Sequence, residues 1–552
     1  LSMAHYLGDE TLLQQTISVA DKVWDYSGQI SGVPVGNEET FYAHPRGYSE
    51  HCGVVLWMET CIELFRSTGD MRYAGLAERC LYNAYLGSKL PDGKSLQYFS
   101  SVNQLVCTDW TGPYLRAHEP TGTYRGHFSM QHSPGCCNSI TGKGLPMFLE
   151  NSVMMNPDGS PVFVFYGPGT FVSSFGDGNT LKIHQETDYP YEDEVLMKVA
   201  LDQPLDMPFH FRVPGWSDGI TVVINGEDQA IEANPSMIAA LSRQWRDGDI
   251  IRLKFHPRVR LQYDRRRTTG PGAYVLRGPL VFVLPVDSEK QYTGEGTPGD
   301  DNIDESWHFL PAENAVWNVA LLINESNPGE SFQYIQLDEP QECRPWECPP
   351  VGLKASAQVL PEWTLDRISG KPATPALPAP PYKTGKKMEV TLVPFGFSQL
   401  RMPLLPVIGV EAEKSIEHGK HKDDVRPVLI AGMPAKPLSL DCPCGQAGNK
   451  LALQEKEKCH HRQDGQQGAR HQRTILLAVK PNQLIQRNRQ CKQLFGMQNN
   501  LRPEEIIPRK GKGHQAERAD HGPADRQGDQ PVQTKFAATI DAPGIQKIIG
   551  HV

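Results

Sequence analysis

The sequence predicts a multidomain protein in which an α-helical portion is followed by β-rich portions and a disordered tail. Three observations indicate this order. Apolar residues recur at helical spacing through about the first 90 residues, which is typical of packed helices. From Val162 onward the pattern changes to short β-prone runs separated by Gly, Pro, Asp or Asn. After residue 410 the chain has no Trp or Tyr, so it can bury little apolar surface against its chain entropy.

The first predicted helix follows Asp9, a residue type that caps helix N-termini. Its apolar stripe consists of Leu13, Ile17, Ala20 and Trp24. Two further stripes follow, one of Val54, Met58, Cys61 and Phe65 and one of Tyr73, Leu76, Cys80 and Ala84. The turn sequence STGD at 67–70 separates them, so we expect an antiparallel helical hairpin. Helical hairpins in series favour an α/α bundle or barrel.

The β-rich portion divides into two predicted units. The first is a β-sandwich built from the runs VFVFYG, LKIHQETDYPY, EVLMKVAL, FHFRVPGW, ITVVING and IIRLKF. The second is a sandwich-like unit, with AYVLRGPLVFVLPV at its start, KKMEVTLVPFGF at its end and TPALPAPP as a stiff connector inside it. We therefore divide the chain into a helical portion at 1–155, β units at 156–264 and 265–408, and a low-order tail at 409–552.

The amino-acid composition restricts both the class of protein and the partners that we expect. The chain has 552 residues, of which 39% are hydrophobic, so it can form cores, and it has no run of about 18 apolar residues that would span a membrane. Residues 411–552 carry a net charge of +7 and the preceding residues −16, which gives the total of −9. A basic tail can bind nucleic acid, but these charges are mixed and lack interleaved aromatic residues. We expect neither a nucleic-acid nor a membrane partner.

The tail also fits a coding sequence that is out of frame after the last β unit. The chain starts with Leu and without a signal pattern, so we expect it to begin inside a longer protein. The sequence fits either a cytoplasmic or a secreted protein, and it predicts no oligomeric state.

Two adjacent cysteines, Cys136 and Cys137, form the most unusual local feature. A disulfide between neighbours would be strained, so a bridge between them is not expected. They could be ordinary buried small side chains, since free Cys is often buried. Alternatively they could be a thiolate pair that binds a metal. The 12 Cys of the chain have no framework spacing, which argues against a disulfide scaffold and leaves metal binding or catalysis open.

A metal would need partners elsewhere, and two Glu-x-Cys sequences offer them. Glu50 with Cys52 and Glu59 with Cys61 lie nine residues apart, which in a helix places them on opposite faces. Cys61 already belongs to an apolar stripe. Glu50 and Cys52 can share a metal only if Glu50 lies in the segment that enters the helix. The residues Glu50, Cys52, Cys136 and Cys137 would then form a Cys3Glu set, which suits tetrahedral zinc.

Several motifs in order resemble glycoside hydrolase family 127, the β-L-arabinofuranosidase-like enzymes. They are EHCGVVLWMETCIELFRSTGD, CCNSI, QETDYPY, FRVPGWSDGITVVINGE, LSRQWRDGD and YVLRGPLVFVLP. The resemblance runs from residue 1 to about residue 406. It implies an (α/α)6 catalytic barrel, of which 1–155 would be the C-terminal part, followed by β-sandwich domains. It also implies a retaining exo-glycosidase that acts on terminal L-arabinofuranose or a similar sugar of plant-type glycans.

The resemblance further implies roles for single residues. The family's zinc ligands fall on Glu50, Cys52, Cys136 and Cys137, and Cys136 resembles its nucleophile. The acid/base carboxylate falls on Glu39, with Glu38 as the competing choice. Some relatives place a further Cys where this chain has Pro134, a residue that the ligand set does not need. Apart from the resemblance, Trp110 and Tyr114 are candidate aromatic platforms for sugar, because they lie near the cysteine pair in sequence.

Relatives carry most of their barrel helices before the Glu-x-Cys sequence, whereas only about 50 residues precede it here. We therefore expect that this chain could be inactive alone. This favours a second hypothesis, a non-catalytic carbohydrate-binding or structural remnant of such an enzyme. A vicinal-thiol redox protein is a third hypothesis, but the C-x-x-C and βαβ context typical of that class is missing.

Overall fold

The computed structural model describes residues 1–36, 42–112, 125–132, 135–175, 178–264, 272–294, 305–338 and 347–410. Apart from its first two residues, the predicted tail at 409–552 therefore lies outside the described residues. The α-helices within the described ranges are α1 (Ser2–Leu7), α2 (Glu10–Ser27), α3 (His51–Thr68), α4 (Met71–Arg79) and α5 (Cys136–Glu150). None of these helices is long and apolar enough to cross a membrane. Most of the remaining regular structure is β.

The helices begin and end where their local sequences require. Asp9 caps α2 by accepting a hydrogen bond from the backbone N–H of Leu12 at 3.0 Å. Helix α3 ends at Gly69, whose φ of 69° suits glycine, and Asp70 then caps α4. The predicted stripe of α3 is buried as a whole, comprising Val54, Met58, Cys61 and Phe65. The third stripe is also nearly all buried, but only its first half lies in α4.

Helix α4 passes directly into a π-helical segment, Cys80–Tyr85, which was not predicted. All six of its side chains are buried. One of them, Asn83, links the segment to the β portion by donating to the carbonyl of Pro279 at 3.0 Å and accepting from the backbone N–H of Val281 at 2.8 Å. The wider helical turn thus lies at a contact between the helical and the β-rich parts.

The helical portion also contains short strands. They are β1 (Tyr48–Glu50), β2 (Leu96–Gln97), β3 (Phe99–Ser101) and β4 (Phe128–Ser129). Strands β1 and β3 pair antiparallel with Glu50 opposite Phe99. This pairing places the residue that precedes helix α3 beside the segment that follows the π-helix.

The next part of the chain forms two sheets. Its strands are β5 (Val153–Met155), β6 (Pro161–Phe163), β7 (Gly169–Ser174), β8 (Thr180–Glu186), β9 (Glu194–Leu201), β10 (Leu205–Val213), β11 (Ser217–Ile224), β12 (Glu227–Asp228), β13 (Met237–Trp245) and β14 (Ile250–Pro257). One sheet has the order β13-β10-β6-β5 and the other β12-β11-β14-β9-β8-β7. The six predicted runs all contribute strands, whereas β5, β7, β12 and β13 were not predicted.

The last described part contains thirteen strands, nine of which form a third large sheet. Its strands are β15 (Val259–Asp264), β16 (Gly272–Arg277), β17 (Leu280–Pro285), β18 (Ser288–Tyr292), β19 (Ser306–Pro311), β20 (Val319–Asn324), β21 (Phe332–Gln336), β22 (Val351–Val359), β23 (Asp366–Ile368), β24 (Lys371–Ala373), β25 (Lys387–Pro394), β26 (Arg401–Met402) and β27 (Val407–Val410). The main order is β15-β16-β17-β25-β22-β20-β27, with β21 and β26 joined at its side.

One sheet joins the helical portion to the last β portion. Its order is β18-β19-β4-β2, so strands from residues 96–129 pair with strands from residues 288–311. The guanidinium of Arg401, which is fully buried, reinforces the connection by donating to the carbonyls of Gly87 and Ser101, each at 3.0 Å. Since Ser101 ends the strand that pairs with β1, this network supports the backbone around Glu50.

A buried ion pair joins the helical portion to the middle β portion. Arg212 of β10 donates to Glu78 of α4 at 2.6 Å, and both side chains are at most 1% exposed. The same carboxylate accepts hydrogen bonds from the hydroxyl of Tyr189 and the indole N–H of Trp216. Its charge is therefore both paired and hydrogen-bonded, as a buried carboxylate requires.

Candidate metal centre

Glu50 lies just outside the helix that carries Cys52. It is the last residue of β1 and the N-cap of α3, with extended backbone angles of φ −70° and ψ 138°. Its backbone N–H donates to the carbonyl of Gly36 at 2.9 Å, and that of His51 donates to the carbonyl of Tyr98 at 2.9 Å. Because Glu50 is not helical, its side chain reaches the same side of the chain as Cys52. Cys61, by contrast, is fully buried in the apolar core.

Cys136 and Cys137 are the first two residues of α5, which follows Gly135. Asn138 fixes this start, because its side chain accepts from the backbone N–H of His132 at 3.2 Å and donates to the carbonyl of Met130 at 2.6 Å. The N-terminus of a helix carries a partial positive charge and free N–H groups, both of which favour a thiolate.

The structure brings the two pairs together. One ligand atom from each of Glu50, Cys52, Cys136 and Cys137 lies within 4.8 Å of all the others. The sulfurs of Cys52 and Cys137 are 3.3 Å apart, and Oε1 of Glu50 is 3.8 Å from each sulfur of the adjacent pair. Cys137 is buried whereas Cys136 is exposed, so the cluster opens to solvent on the Cys136 side.

These distances fit a tetrahedral zinc ion. A tetrahedron with zinc–sulfur bonds of about 2.3 Å has edges of about 3.8 Å, close to the separations of 3.3 and 3.8 Å between these ligand atoms. Three sulfurs and one carboxylate oxygen are also a donor set that zinc prefers. The chemistry of the set and its geometry therefore agree, and the four residues could hold the ion with little rearrangement.

The protonation of the thiols supports the same interpretation. A hydrogen bond from Cys137 lowers the pKa of Cys52, and the same bond raises the pKa of Cys137 well above its usual range. Partial burial raises the pKa of Cys136. Three thiols beside one carboxylate thus resist ionising together, because like charges repel at short range. A divalent cation would supply the positive charge that permits all three to be thiolates.

Tyr98 is a site residue that sequence reasoning missed. Its hydroxyl lies 3.0 Å from the sulfur of Cys136, and its side chain is otherwise buried at 1% exposure. Burial raises the pKa of Tyr98 above its usual range, so the hydroxyl keeps its proton and can donate to the sulfur. No motif marks this residue in the run SLQYFSS, because the contact depends on how the residue between β2 and β3 meets the start of α5.

Histidines also surround the cluster without entering it. Burial keeps the pKa of His51 well below its ordinary value, so this ring is neutral beside the candidate ligands. His132 is buried as well, and its Nε2 donates to the carbonyl of Leu96 at 2.8 Å. Its ring packs edge-on against Tyr98 with centroids 5.7 Å apart. Neutral imidazoles can therefore line this region without adding charge.

The structure describes only one of the other candidate residues that were named from the sequence. Glu39, its competitor Glu38, Pro134 and Tyr114 lie outside the described residues. Trp110 is half-buried, with its indole N–H donating to the carbonyl of Pro372 at 3.2 Å and the ammonium of Lys371 4.6 Å from its ring centroid. Contacts from the last β portion thus already engage part of the predicted platform.

The fold is similar to that of solved glycoside hydrolases. Similar solved structures include one described as a glycoside hydrolase, at 20% identity and a TM-score of 0.52, which covers 72% of this chain and 63% of that one. Another is described as a GH127 β-L-arabinofuranosidase from Geobacillus stearothermophilus T6. Its identity is 21% and its TM-score 0.53, and the match covers 74% of this chain and 58% of that one. A third, described as a GH127 β-arabinofuranosidase, has an identity of 19% and a TM-score of 0.52, and the match covers 73% of this chain and 57% of that one. The chain thus spans less than two thirds of their length. No curated protein matches it significantly.

Two family models identify the particular family. The model of the β-L-arabinofuranosidase GH127 catalytic domain matches residues 2–148, and that of the GH127 middle domain matches residues 165–256. Both models follow each other in one chain, and the first covers all four members of the cluster. Residues 2–148 and 165–256 thus match glycoside hydrolase family 127, the family that the motifs predicted.

Proposed function

We propose that this chain is a zinc-dependent, retaining, exo-acting β-L-arabinofuranosidase-like glycosidase. The observation that carries the proposal is the convergence of Glu50, Cys52, Cys136 and Cys137 within 4.8 Å, inside the segment that matches a GH127 catalytic domain. We further propose that 1–155 is part of an (α/α)6 barrel, and that 156–264 and 265–408 are β-sandwich units. The substrate would be a terminal L-arabinofuranose or a similar sugar of plant-type glycans.

The nucleophile in this proposal is the sulfur of Cys136. It is the exposed member of the cluster, it begins a helix, and it accepts a hydrogen bond from Tyr98. A bound zinc ion would keep this sulfur deprotonated near neutral pH and fix its position. The sulfur attacks the anomeric carbon of the sugar, and a carbon–sulfur bond forms as the bond from that carbon to the leaving oxygen breaks.

The acid/base in this proposal is Glu39. Its carboxylic acid protonates the leaving oxygen in the first step, and its carboxylate then takes a proton from water in the second. The water oxygen attacks the anomeric carbon and displaces the sulfur of Cys136. Two displacements at one carbon restore its configuration, so the product retains the β anomer. Glu39 therefore gives one proton to the leaving oxygen in the first step and regains one from water in the second.

Trapping the sugar on the enzyme tests the proposal. Glu39→Gln should still react with an aryl β-L-arabinofuranoside whose leaving group needs no protonation, and should then stall because no base activates water. Mass spectrometry should find the sugar on the peptide that contains Cys136. The matched control is Glu38→Gln, which should turn over without an adduct.

Three outcomes would contradict the proposal. A sugar attached to Glu50 would exclude Cys136 as the nucleophile, and a product of inverted configuration would exclude two displacements. A wild-type chain that binds zinc but neither hydrolyses nor retains the sugar would favour the non-catalytic alternative.

A further inference from the structure

His51 stands between the two ligands that flank the start of α3, yet its side chain contacts other partners. The ring is 1% exposed. Its Nδ1 lies 2.9 Å from the hydroxyl of Ser88, and its Nε2 lies 2.9 Å from the hydroxyl of Thr141. One imidazole therefore contacts the segment after the π-helix on one side and helix α5 on the other.

The hydrogen bonds of Ser88 fix the tautomer of this ring. The hydroxyl of Ser88 has a single proton, which it donates to the carbonyl of Tyr85 at 3.0 Å. It can therefore only accept from Nδ1 of His51, which must carry the ring proton. Nε2 is then an acceptor, and Thr141 donates to it. Each ring nitrogen has one defined role.

Thr141 connects this network to the cysteine pair. It follows Cys137 by four residues in α5, so both lie on the same face of the helix. Its carbonyl also accepts from the hydroxyl of Tyr85 at 2.7 Å, and the ring of Tyr85 stacks on that of His51 with centroids 5.6 Å apart. Side chain and backbone of Thr141 are thus both held one turn after Cys137.

We propose that His51 is a positioning residue, which holds the N-termini of α3 and α5 at the separation that lets Glu50 and Cys52 meet Cys136 and Cys137. The inference rests on the proposed zinc site. A rigid ring with two opposed polar atoms can bridge the helices at fixed length, and ligand sets lose affinity when they shift by about half an ångström. Loss of such supporting contacts typically weakens metal affinity about 10- to 100-fold.

Zinc affinity of the full chain tests this role. We would measure the zinc dissociation constant by competition with a chromophoric chelator, for His51→Gln and Thr141→Val. Glutamine can replace only one of the two ring contacts, and valine keeps the shape of threonine without its hydroxyl. Each should weaken zinc binding about tenfold or more. Because both changes break the same bridge, the double variant should lose little beyond the single ones.

Matched controls separate positioning from general stability. His308→Gln alters another buried histidine, and Thr60→Val removes a hydroxyl that bonds within α3, to the carbonyl of Leu56. Both should leave zinc affinity unchanged, whatever their effect on the thermal midpoint. If His51→Gln and Thr141→Val bind zinc within about twofold of the wild type, the positioning role is wrong and the zinc site stands. A wild type that binds no zinc would overturn both proposals.

Discussion

The sulfur atoms of Cys52 and Cys137 lie 3.3 Å apart, although 85 residues separate them in the chain. Each belongs to the first turn of its own helix, and the thiol of Cys137 donates toward Cys52. Such a short separation between two ionisable sulfurs is stable only if they share a proton or a cation. The contact between these helix starts therefore determines the chemistry of the site.

Cys137→Ser should abolish stoichiometric zinc binding. Wild-type protein should contain one zinc per folded chain, and the serine variant much less, because a hydroxyl stays protonated and is a poor zinc ligand. Elemental analysis of the purified proteins measures this. Cys61→Ala is the control, since Cys61 lies in the apolar core and should be neutral for zinc content. Unchanged zinc in Cys137→Ser would exclude this ligand set.

Tyr98→Phe should slow the reaction of Cys136. The variant loses the hydroxyl 3.0 Å from the sulfur, and a hydrogen bond to a charged group contributes about 1.5–3 kcal/mol. We expect kcat to fall about tenfold or more, and the alkylation of Cys136 to require higher pH. Tyr82→Phe, a change of another buried tyrosine, is the matched control. Equal kcat values in wild type and Tyr98→Phe would remove Tyr98 from the site.

Arg212→Met should strongly destabilise the fold. It leaves the carboxylate of Glu78 buried without its cation, which typically costs about 3–5 kcal/mol. Urea unfolding measures this loss. The double variant Glu78→Gln with Arg212→Met should recover part of it, because no buried charge remains. Arg252→Met, which breaks an exposed ion pair with Glu194, should cost below about 1 kcal/mol. If both arginine variants lost the same free energy of unfolding, the distinction between the buried and the exposed ion pair would be wrong.

His132 should make the protein less stable in mild acid. Burial lowers the pKa of His132 to about 4, below the ordinary value of 6.5. Between these values the unfolded state binds more protons than the folded state, so the free energy of unfolding falls as pH falls from 6.5 to 4. The full effect is about 3 kcal/mol. Unfolding curves measured across this pH range should show a larger loss in the free energy of unfolding for the wild type than for His132→Gln.

One outcome of this comparison would contradict the predicted pH dependence. A His132→Gln curve parallel to that of the wild type would mean that His132 is protonated in the folded protein.

Local patterns predicted much of the secondary structure. The stripe of α3 is buried as expected, because four apolar residues at helical spacing must face one side. The same periodicity assigns Cys61 to the core and leaves Cys52 free to bind a metal. Strand β13 was missed because its exposed polar residues weaken the apolar alternation, and its assignment depends on pairing with β10. The π-helical segment was missed because its sequence resembles that of an ordinary helix.

The sequence by itself determined the resemblance to glycoside hydrolase family 127, the order of helices and strands, and the types of residue that could bind a metal, because these depend on composition and short-range spacing. Only the tertiary structure decided that Tyr98 meets Cys136, that His51 bridges two helices, and that β4 pairs with β19 across the chain. Contacts between residues far apart in sequence depend on how the elements pack together. No local period records that packing, since the same stripe or strand can pack at several positions and only the whole core selects one.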